Sequence, residues 1–144
     1  MTEPIVLSRR VAAPPAAVYS YLTESEKWSR WQGIASTIDA RTGGIFVMRT
    51  PNGAIARGQF VELVPNERVV FTWGWVDHPG LPPGSSTVKI EIAEIEGGSL
   101  VTLTHRDLPA EEADIHVRGW AHYLPRLAAV AEGAEPVPDP GPPG

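Results

Sequence analysis

Residues 68–76, RVVFTWGWV, place three large aromatic side chains at alternate positions of one short apolar run. Alternation of this kind is typical of a β-strand with one buried face, so Phe71, Trp73 and Trp75 are predicted to share that face. Large aromatic side chains in a row either fill a core or line a cavity. This strand alone does not decide between core filling and cavity lining, so the rest of the sequence is needed to distinguish them.

The composition of the whole chain excludes several classes of function. Its 144 residues carry 12 basic and 17 acidic side chains, a net charge of −5, without a basic cluster, so nucleic acid is not expected as a partner. The absence of cysteine rules out disulfides, thiolate metal sites and a cysteine nucleophile. No apolar run approaches membrane-spanning length, and the N-terminus has no apolar leader region. We therefore expect a soluble, cytoplasmic protein without membrane insertion.

Around the opening stretch, the pattern changes in the order expected for an α+β fold. Residues 5–13 alternate as a first strand, and residues 14–31 change to helical spacing behind two prolines, which predicts two short helices. Turn signals such as Asn52-Gly53 then separate a series of strands. These strands are predicted over residues 36–41, 43–49, 54–64, 68–76, 87–95 and 99–108.

The C-terminal part is predicted to form one long helix followed by a tail. Acidic residues favour a helix start near Glu111, and Pro125 is expected either to kink the helix near Ala121 or to end it early. Residues 133–144 are rich in proline and glycine and are expected to be a disordered tail, which leaves residues 1–132 as the domain. The predicted apolar stripe of the helix consists of Val117, Trp120, Ala121, Leu124, Leu127, Ala128 and Ala131.

The last two strands form a predicted hairpin with a histidine on its apolar face. With residues 97–98 as the turn, Ile90 pairs with His105 and Ile92 with Leu103, so that His105 faces inward. Two interpretations of His105 are open. It is either a buried histidine bonded to backbone or to a hydroxyl, or a polar group that contacts a ligand or acts as a general acid–base.

The other polar residues are assigned to structure. His78 lies in a loop rich in proline and glycine and is expected to face solvent. The acidic residues within 111–114 are interpreted as a helix N-terminus and not as a catalytic group. His116 and His122 are six residues apart, which is not a metal-binding spacing on a helix, so no metal site is expected.

Several stretches, in this order, resemble one superfamily. They are VAAPPAAVYSYLTESEKWSRW (11–31), GGIFVMRTPNG (43–53), GQFVELVPNERVVFTWGW (58–75), and SLVTLTHRDLP (99–109) with GWAHYLPRLAAV (119–130). The chain resembles the START-like (SRPBCC) helix-grip superfamily, and more narrowly the group named after the activator of heat-shock-protein-90 ATPase homologue. The resemblance covers about residues 5–132. It implies an α+β fold in which a curved antiparallel sheet grips a long C-terminal helix.

The resemblance also implies a deep cavity between the sheet and the C-terminal helix. We expect non-enzymatic binding of a small hydrophobic or amphipathic ligand there, without a cofactor and without catalytic residues. The ligand would be lipid-like, polyketide-like or aromatic. The predicted walls of the cavity are Trp31, Phe46, Met48, Phe71, Trp73, Trp75 and Trp120, with His105 as the polar contact.

Two other functions are compatible with the same resemblance. A polyketide cyclase or aromatase would use the same cavity and would need His105 together with a second polar group. A co-chaperone or regulator would instead bind a protein through its surface. Co-chaperone members depend on a preceding partner-binding domain, and because none precedes Met1 we do not expect a chaperone partner. A homodimer is left open.

Overall fold

The computed structural model describes residues 3–142, and within them the backbone forms seven strands and three helices. All strand pairs among these residues are antiparallel. In chain order the elements are β1 (Ile5–Val11), α1 (Pro15–Thr23), α2 (Ser25–Trp28), β2 (Ala35–Ile38), β3 (Ile45–Arg49), β4 (Ile55–Val64), β5 (Arg68–Trp73), β6 (Ser86–Ile95), β7 (Gly98–Arg106) and α3 (Ala110–Ala131).

The sheet has the strand order β1-β7-β6-β5-β4-β3-β2. Strands β2 to β7 form a meander, and β1 closes the order by pairing with the last strand. Helix α1 begins at a proline, and its buried residues Val18 and Leu22 lie one turn apart on the side that meets α3 and the sheet. The predicted helix-grip architecture, with a curved sheet, two short helices after the first strand and a long C-terminal helix, is confirmed.

The β6–β7 hairpin has the predicted faces but a different register. The turn consists of residues 96–97, and Val88, not Ile90, pairs with His105. Gly98 belongs to the strand through its pairing with Ile95. A Cβ atom at Gly98 would lie 2.1 Å from the backbone oxygen of Val11 on the neighbouring strand β1, so glycine allows this close approach. The predicted pairing is therefore wrong by two residues, and a shift of two leaves every side chain on its predicted face.

Helix α3 continues through Pro125 to Ala131, so the expected early end is wrong. Pro125 removes the hydrogen bond to the carbonyl of Ala121, and Ala121 is exposed, which lets water replace the missing donor. The predicted stripe is wrong at Val117 and Ala121, since both are exposed. The buried residues of α3 are Glu112, His116, Trp120, Tyr123, Leu124, Leu127, Ala128 and Val130.

Candidate functional site

A cavity of about 650 Å³ lies between α3 and the sheet, at the end where β5 stops. Its inner part is buried, whereas its mouth is formed by exposed residues of the β3–β4 turn, the loop after β5 and the C-terminal tail. The residues that line it are Gln32, Met48, Thr50, Pro51, Asn52, Ala54, Trp73, Trp75, Val76, His78, Glu112, Ile115, His116, Gly119, Trp120, Tyr123, Pro140, Gly141 and Pro142.

Half of the predicted site residues line this cavity. Met48, Trp73, Trp75 and Trp120 form part of its wall. The others are fully buried next to it and do not line it; they are Trp31, Phe46, Phe71 and His105. The two interpretations of the aromatic strand face therefore both apply, each to a different part of the face.

The aromatic side chains that do not line the cavity form a packed cluster behind it. Trp28 lies 4.7 Å from Trp31 and 5.0 Å from Phe46 between ring centroids, and Phe46 lies 4.6 Å from Phe71. Tilted and edge-to-face contacts at such distances are favourable for aromatic pairs. Trp73 extends this cluster, at 5.7 Å from Phe46, and joins the core to the cavity wall.

The end of β5 determines where the wall begins. Trp73 is the last residue of the strand, and Trp75 is held beyond it by an isolated bridge to Ala56. Gly74 lies between them and allows a close approach, because a Cβ atom there would lie 1.8 Å from the carbonyl oxygen of Pro82. The chain thus continues the alternation of the strand, with both indoles on the inner side.

His116 holds these two indoles in place. Its Nε2 lies 3.3 Å from Nε1 of Trp73 and 3.1 Å from Nε1 of Trp75, and its Nδ1 lies 2.7 Å from the carbonyl oxygen of Glu112. An indole N–H only donates and a carbonyl only accepts, so Nε2 accepts both indole bonds and Nδ1 carries the proton. The geometry therefore specifies a neutral imidazole with a defined tautomer.

His105 belongs to a second chain of hydrogen bonds behind the wall. Trp120 donates from Nε1 to Nδ1 of His105 at 3.0 Å. Nε2 of His105 donates to the hydroxyl of Ser86 at 2.9 Å, and that hydroxyl donates to the carbonyl oxygen of Trp73 at 2.8 Å. Both ring nitrogens are used within the protein and the side chain is fully enclosed. The structure thus places His105 as a buried, hydroxyl-bonded histidine and not at the cavity surface.

The surroundings of both histidines favour the uncharged form. Burial, together with the neighbouring His116 ring, lowers the pKa of His105 to about 3. Burial also lowers the pKa of His116, although its bond to the Glu112 carbonyl opposes the shift. The two rings are 5.2 Å apart between centroids, so a charge on one disfavours a charge on the other.

Glu112 is a cavity residue that the sequence interpretation assigned only to a helix start. Its side chain is almost buried, and its Oε2 lies 2.9 Å from Nε2 of His78 at the mouth. His78 itself is exposed in its loop, as expected. Glu112, His116 and Trp120 follow one another at intervals of four residues on α3. That spacing was readable in the sequence as one face, but the two polar residues concealed it.

The C-terminal tail contacts the cavity, which the sequence did not indicate. Residues 134–142 have no helix or strand, but the side chain of Asp139 is fully buried. Its Oδ2 accepts hydrogen bonds from the hydroxyl of Tyr123 at 2.7 Å and from the amide of Gly33 at 2.8 Å. Asp139 thus anchors part of the tail that the sequence predicts to be disordered, at the place where α3 meets the chain after α2.

Asp139 and Tyr123 influence each other through this bond. Burial and the bond to Asp139 raise the pKa of Tyr123. Burial alone would raise the pKa of Asp139, but hydrogen bonds from Tyr123 and from the amides of Gly141 and Gly33 outweigh it, so the pKa is lowered. Asp139 is therefore held as a carboxylate. Within residues 3–142, no three histidine, aspartate or glutamate side chains lie close enough to hold a metal ion.

Comparisons with known proteins agree with this architecture. The family described as Activator of Hsp90 ATPase homolog 1-like protein matches residues 12–132. An AHSA1-like protein from Rhizobium etli is 43% identical, over 97% of this chain and 89% of that chain, with a TM-score of 0.73. A protein from Chromobacterium violaceum is 27% identical, over 92% of this chain and 99% of that chain, with a TM-score of 0.78.

A more distant structure shows the fold alone. The Aha1 dimer from Colwellia psychrerythraea is 17% identical, over 92% of this chain and 98% of that chain, with a TM-score of 0.80. Among curated proteins, no significant match to this sequence was found. The family match spans most of the chain, and the fold and the Rhizobium etli relative agree with it. The chain therefore belongs to the Activator of Hsp90 ATPase homolog 1-like family.

Proposed function

We propose that the protein binds a small hydrophobic or amphipathic molecule in this cavity without catalysing a reaction on it. The observation that supports the proposal is the cavity itself, of about 650 Å³, with three indoles and a phenol in its wall. Pockets of this size with apolar and aromatic walls are typical of sites for small molecules. The flat walls favour an aromatic or polyketide-like ligand over a long flexible chain.

The hydrogen bonds of the histidines support binding over catalysis. A cyclase would need a free imidazole or another acid–base group at the inner wall. His105 and His116 use all their ring nitrogens within the protein. The third imidazole near the cavity, that of His78, lies at the mouth and bonds Glu112. The hydrogen bonding of these three imidazoles therefore does not favour the cyclase alternative.

The remaining expectations about partners and location stay predictions. The Colwellia psychrerythraea relative is a dimer, and a homodimer of this chain is a prediction that gel filtration with light scattering would test. Among the described helices, none is long and apolar enough to cross a membrane. A cytoplasmic location, the domain boundary at residue 132 and the lack of a chaperone partner are likewise predictions.

Filling the cavity from α3 tests the proposal. Gly119 lines the cavity, and a Cβ atom there would meet nothing within 4 Å, so Gly119→Phe adds a ring without a backbone clash. We expect this variant to bind the neutral probe 1-pyrenemethanol at least about tenfold more weakly than the wild type. Energy transfer from tryptophan to pyrene measures the occupancy.

Gly119→Ala is the matched control. Alanine leaves the cavity nearly unchanged and should stabilise the helix by about 1 kcal/mol, because glycine is a poor helix former. It should bind the probe as the wild type does. If Gly119→Phe bound the probe equally well, or if the wild type bound none and carried no co-purified molecule in native mass spectrometry, the proposal would be wrong.

A further inference from the structure

The cavity wall carries a negative charge but no permanent positive charge among the described residues that line it. Among the described residues that line it, Glu112 is the one acidic side chain, and no lysine or arginine is present. His78 adds a positive charge only when it is protonated. A ligand carboxylate or phosphate would therefore meet no permanent counter-ion, and removing such a group from water without a partner is strongly unfavourable.

Glu112 has an oxygen available to a ligand. Its Oε2 bonds His78, whereas its Oε1 accepts no hydrogen bond from any residue in the described range 3–142. The side chain is only 11% exposed, so its charge lies in an environment where a partner is worth more than in water. A buried carboxylate with half of its acceptors unused is suited to a donor with a positive charge.

Aromatic rings line the same cavity as this carboxylate. His116, one turn further along α3, fixes the indoles of Trp73 and Trp75 in the wall, and Trp120 follows one turn later. The faces of indole rings attract cations and also pack against flat apolar groups. A carboxylate and fixed indoles in the wall of one cavity thus offer two compatible contacts to one ligand.

We propose that the ligand is a hydrophobic amine, whose protonated nitrogen bonds Glu112 while its apolar body packs on Trp73, Trp75 and Trp120. This inference rests on the proposed function and names the chemical class of the ligand. It also excludes fatty acids and phosphorylated lipids as preferred ligands, because the wall offers their anionic groups no counter-ion.

Three probes with one apolar body test the inference. They are 1-pyrenemethylamine, 1-pyrenemethanol and 1-pyrenecarboxylate, titrated at pH 7.5 and followed by energy transfer from tryptophan. We expect the amine to bind roughly 10- to 100-fold more tightly than the alcohol, as a charge-assisted hydrogen bond predicts, and the carboxylate most weakly. In Glu112→Gln the amine should fall to the affinity of the alcohol, whose binding should not change.

Glu111→Gln is the matched control for charge. Glu111 precedes Glu112, but it is exposed and does not line the cavity. Glu111→Gln and Glu112→Gln each remove one negative charge, so they change the net charge equally. It should retain the full preference for the amine. If Glu111→Gln weakened amine binding as much as Glu112→Gln, the preference would come from the overall negative charge and the inference would be wrong.

The alcohol separates this inference from the proposed function. If the alcohol binds but the amine binds no more tightly, the inference fails and the proposed function stands. If none of the probes binds, the inference fails, and the proposed function fails with it when native mass spectrometry also finds no co-purified molecule. In His78→Ala, which frees Oε2 of Glu112 and leaves the inner wall intact, amine binding should be equal or tighter. Loss of the amine preference in that variant would assign recognition to His78 and overturn the inference.

Discussion

The direction of hydrogen bonding keeps His105 and His116 uncharged, in addition to their burial. Each accepts at one ring nitrogen from an indole N–H, which has no acceptor to offer in return. Protonation would therefore remove these bonds and place a charge in the core. Histidine serves here as a structural acceptor that fixes the orientation of the wall indoles.

This arrangement predicts a loss of stability in mild acid. A histidine in the unfolded chain takes up a proton near pH 6.5, whereas native His105, with a pKa of about 3, does not. Its contribution is fully present above pH 6.5 and falls as the pH decreases toward 3. We expect the free energy of unfolding to drop between pH 6.5 and 5 by up to about 1.4 kcal/mol per pH unit for each of His105 and His116, whose pKa values are both lowered in the folded protein.

Urea unfolding at pH 7.5, 6.5, 5.8 and 5.0 measures this slope. The pKa of Asp139 is lowered, so its own contribution is lost only at pH values below this window. In His116→Gln, an amide oxygen can accept the indole bonds without titrating, and the slope should be shallower although the protein is less stable. A stability independent of pH between 6.5 and 5 would show that the native histidines can be protonated.

At the scale of the element, the tail from residue 134 to residue 142 acts as an extended strap that contacts the C-terminal half of α3. Arg126 on α3 also holds it, by donating to the carbonyl oxygen of Val137 and to that of Trp31. The strap brings Pro140, Gly141 and Pro142 to the mouth of the cavity. One buried carboxylate, Asp139, thereby positions a segment that has no secondary structure of its own.

Removal of this carboxylate should release the strap. In Asp139→Ala, the hydroxyl of Tyr123 and the amide of Gly33 lose their acceptor, at an expected cost of about 1–3 kcal/mol. Hydrogen exchange at the Gly33 amide should become faster, because water gains access to it. Glu135→Ala is the control, since Glu135 is exposed in the same tail. Equal exchange of Gly33 in both variants would contradict the anchoring role.

At the scale of the whole molecule, the sequence predicted what depends on local periodicity. The order of strands and helices follows from alternation and helical spacing, and the inward faces of β5 and β7 follow from the same patterns. Local periodicity does not predict which inward-facing side chains reach the cavity. Phe71 and Trp73 share one face, but only Trp73 lines the cavity, because β5 ends at Trp73 and the sheet curves away. The contact of Asp139 with Gly33 spans 106 positions and has no local signal at all.

Binding should also stabilise the molecule as a unit. A ligand that binds only the folded state at about 100 times its dissociation constant raises the free energy of unfolding by about 2.7 kcal/mol. For a domain of this size we expect an increase of roughly 10 °C in the melting temperature. Thermal unfolding followed by circular dichroism, with and without 1-pyrenemethylamine, measures it. Gly119→Phe should show a much smaller increase, and an equal one would place the binding site elsewhere.

The two edge strands of the sheet, β1 and β2, affect how easily copies of the protein could aggregate. An unpaired strand edge can recruit another chain, and proteins oppose this with short or charged edge strands. Here β2 has only four residues, and β1 carries two exposed arginines, Arg9 and Arg10, near its C-terminal end. An approaching copy would find a short edge on one side and two like charges on the other. The open sheet is therefore protected against edge-to-edge polymerisation, even though it is not closed into a barrel.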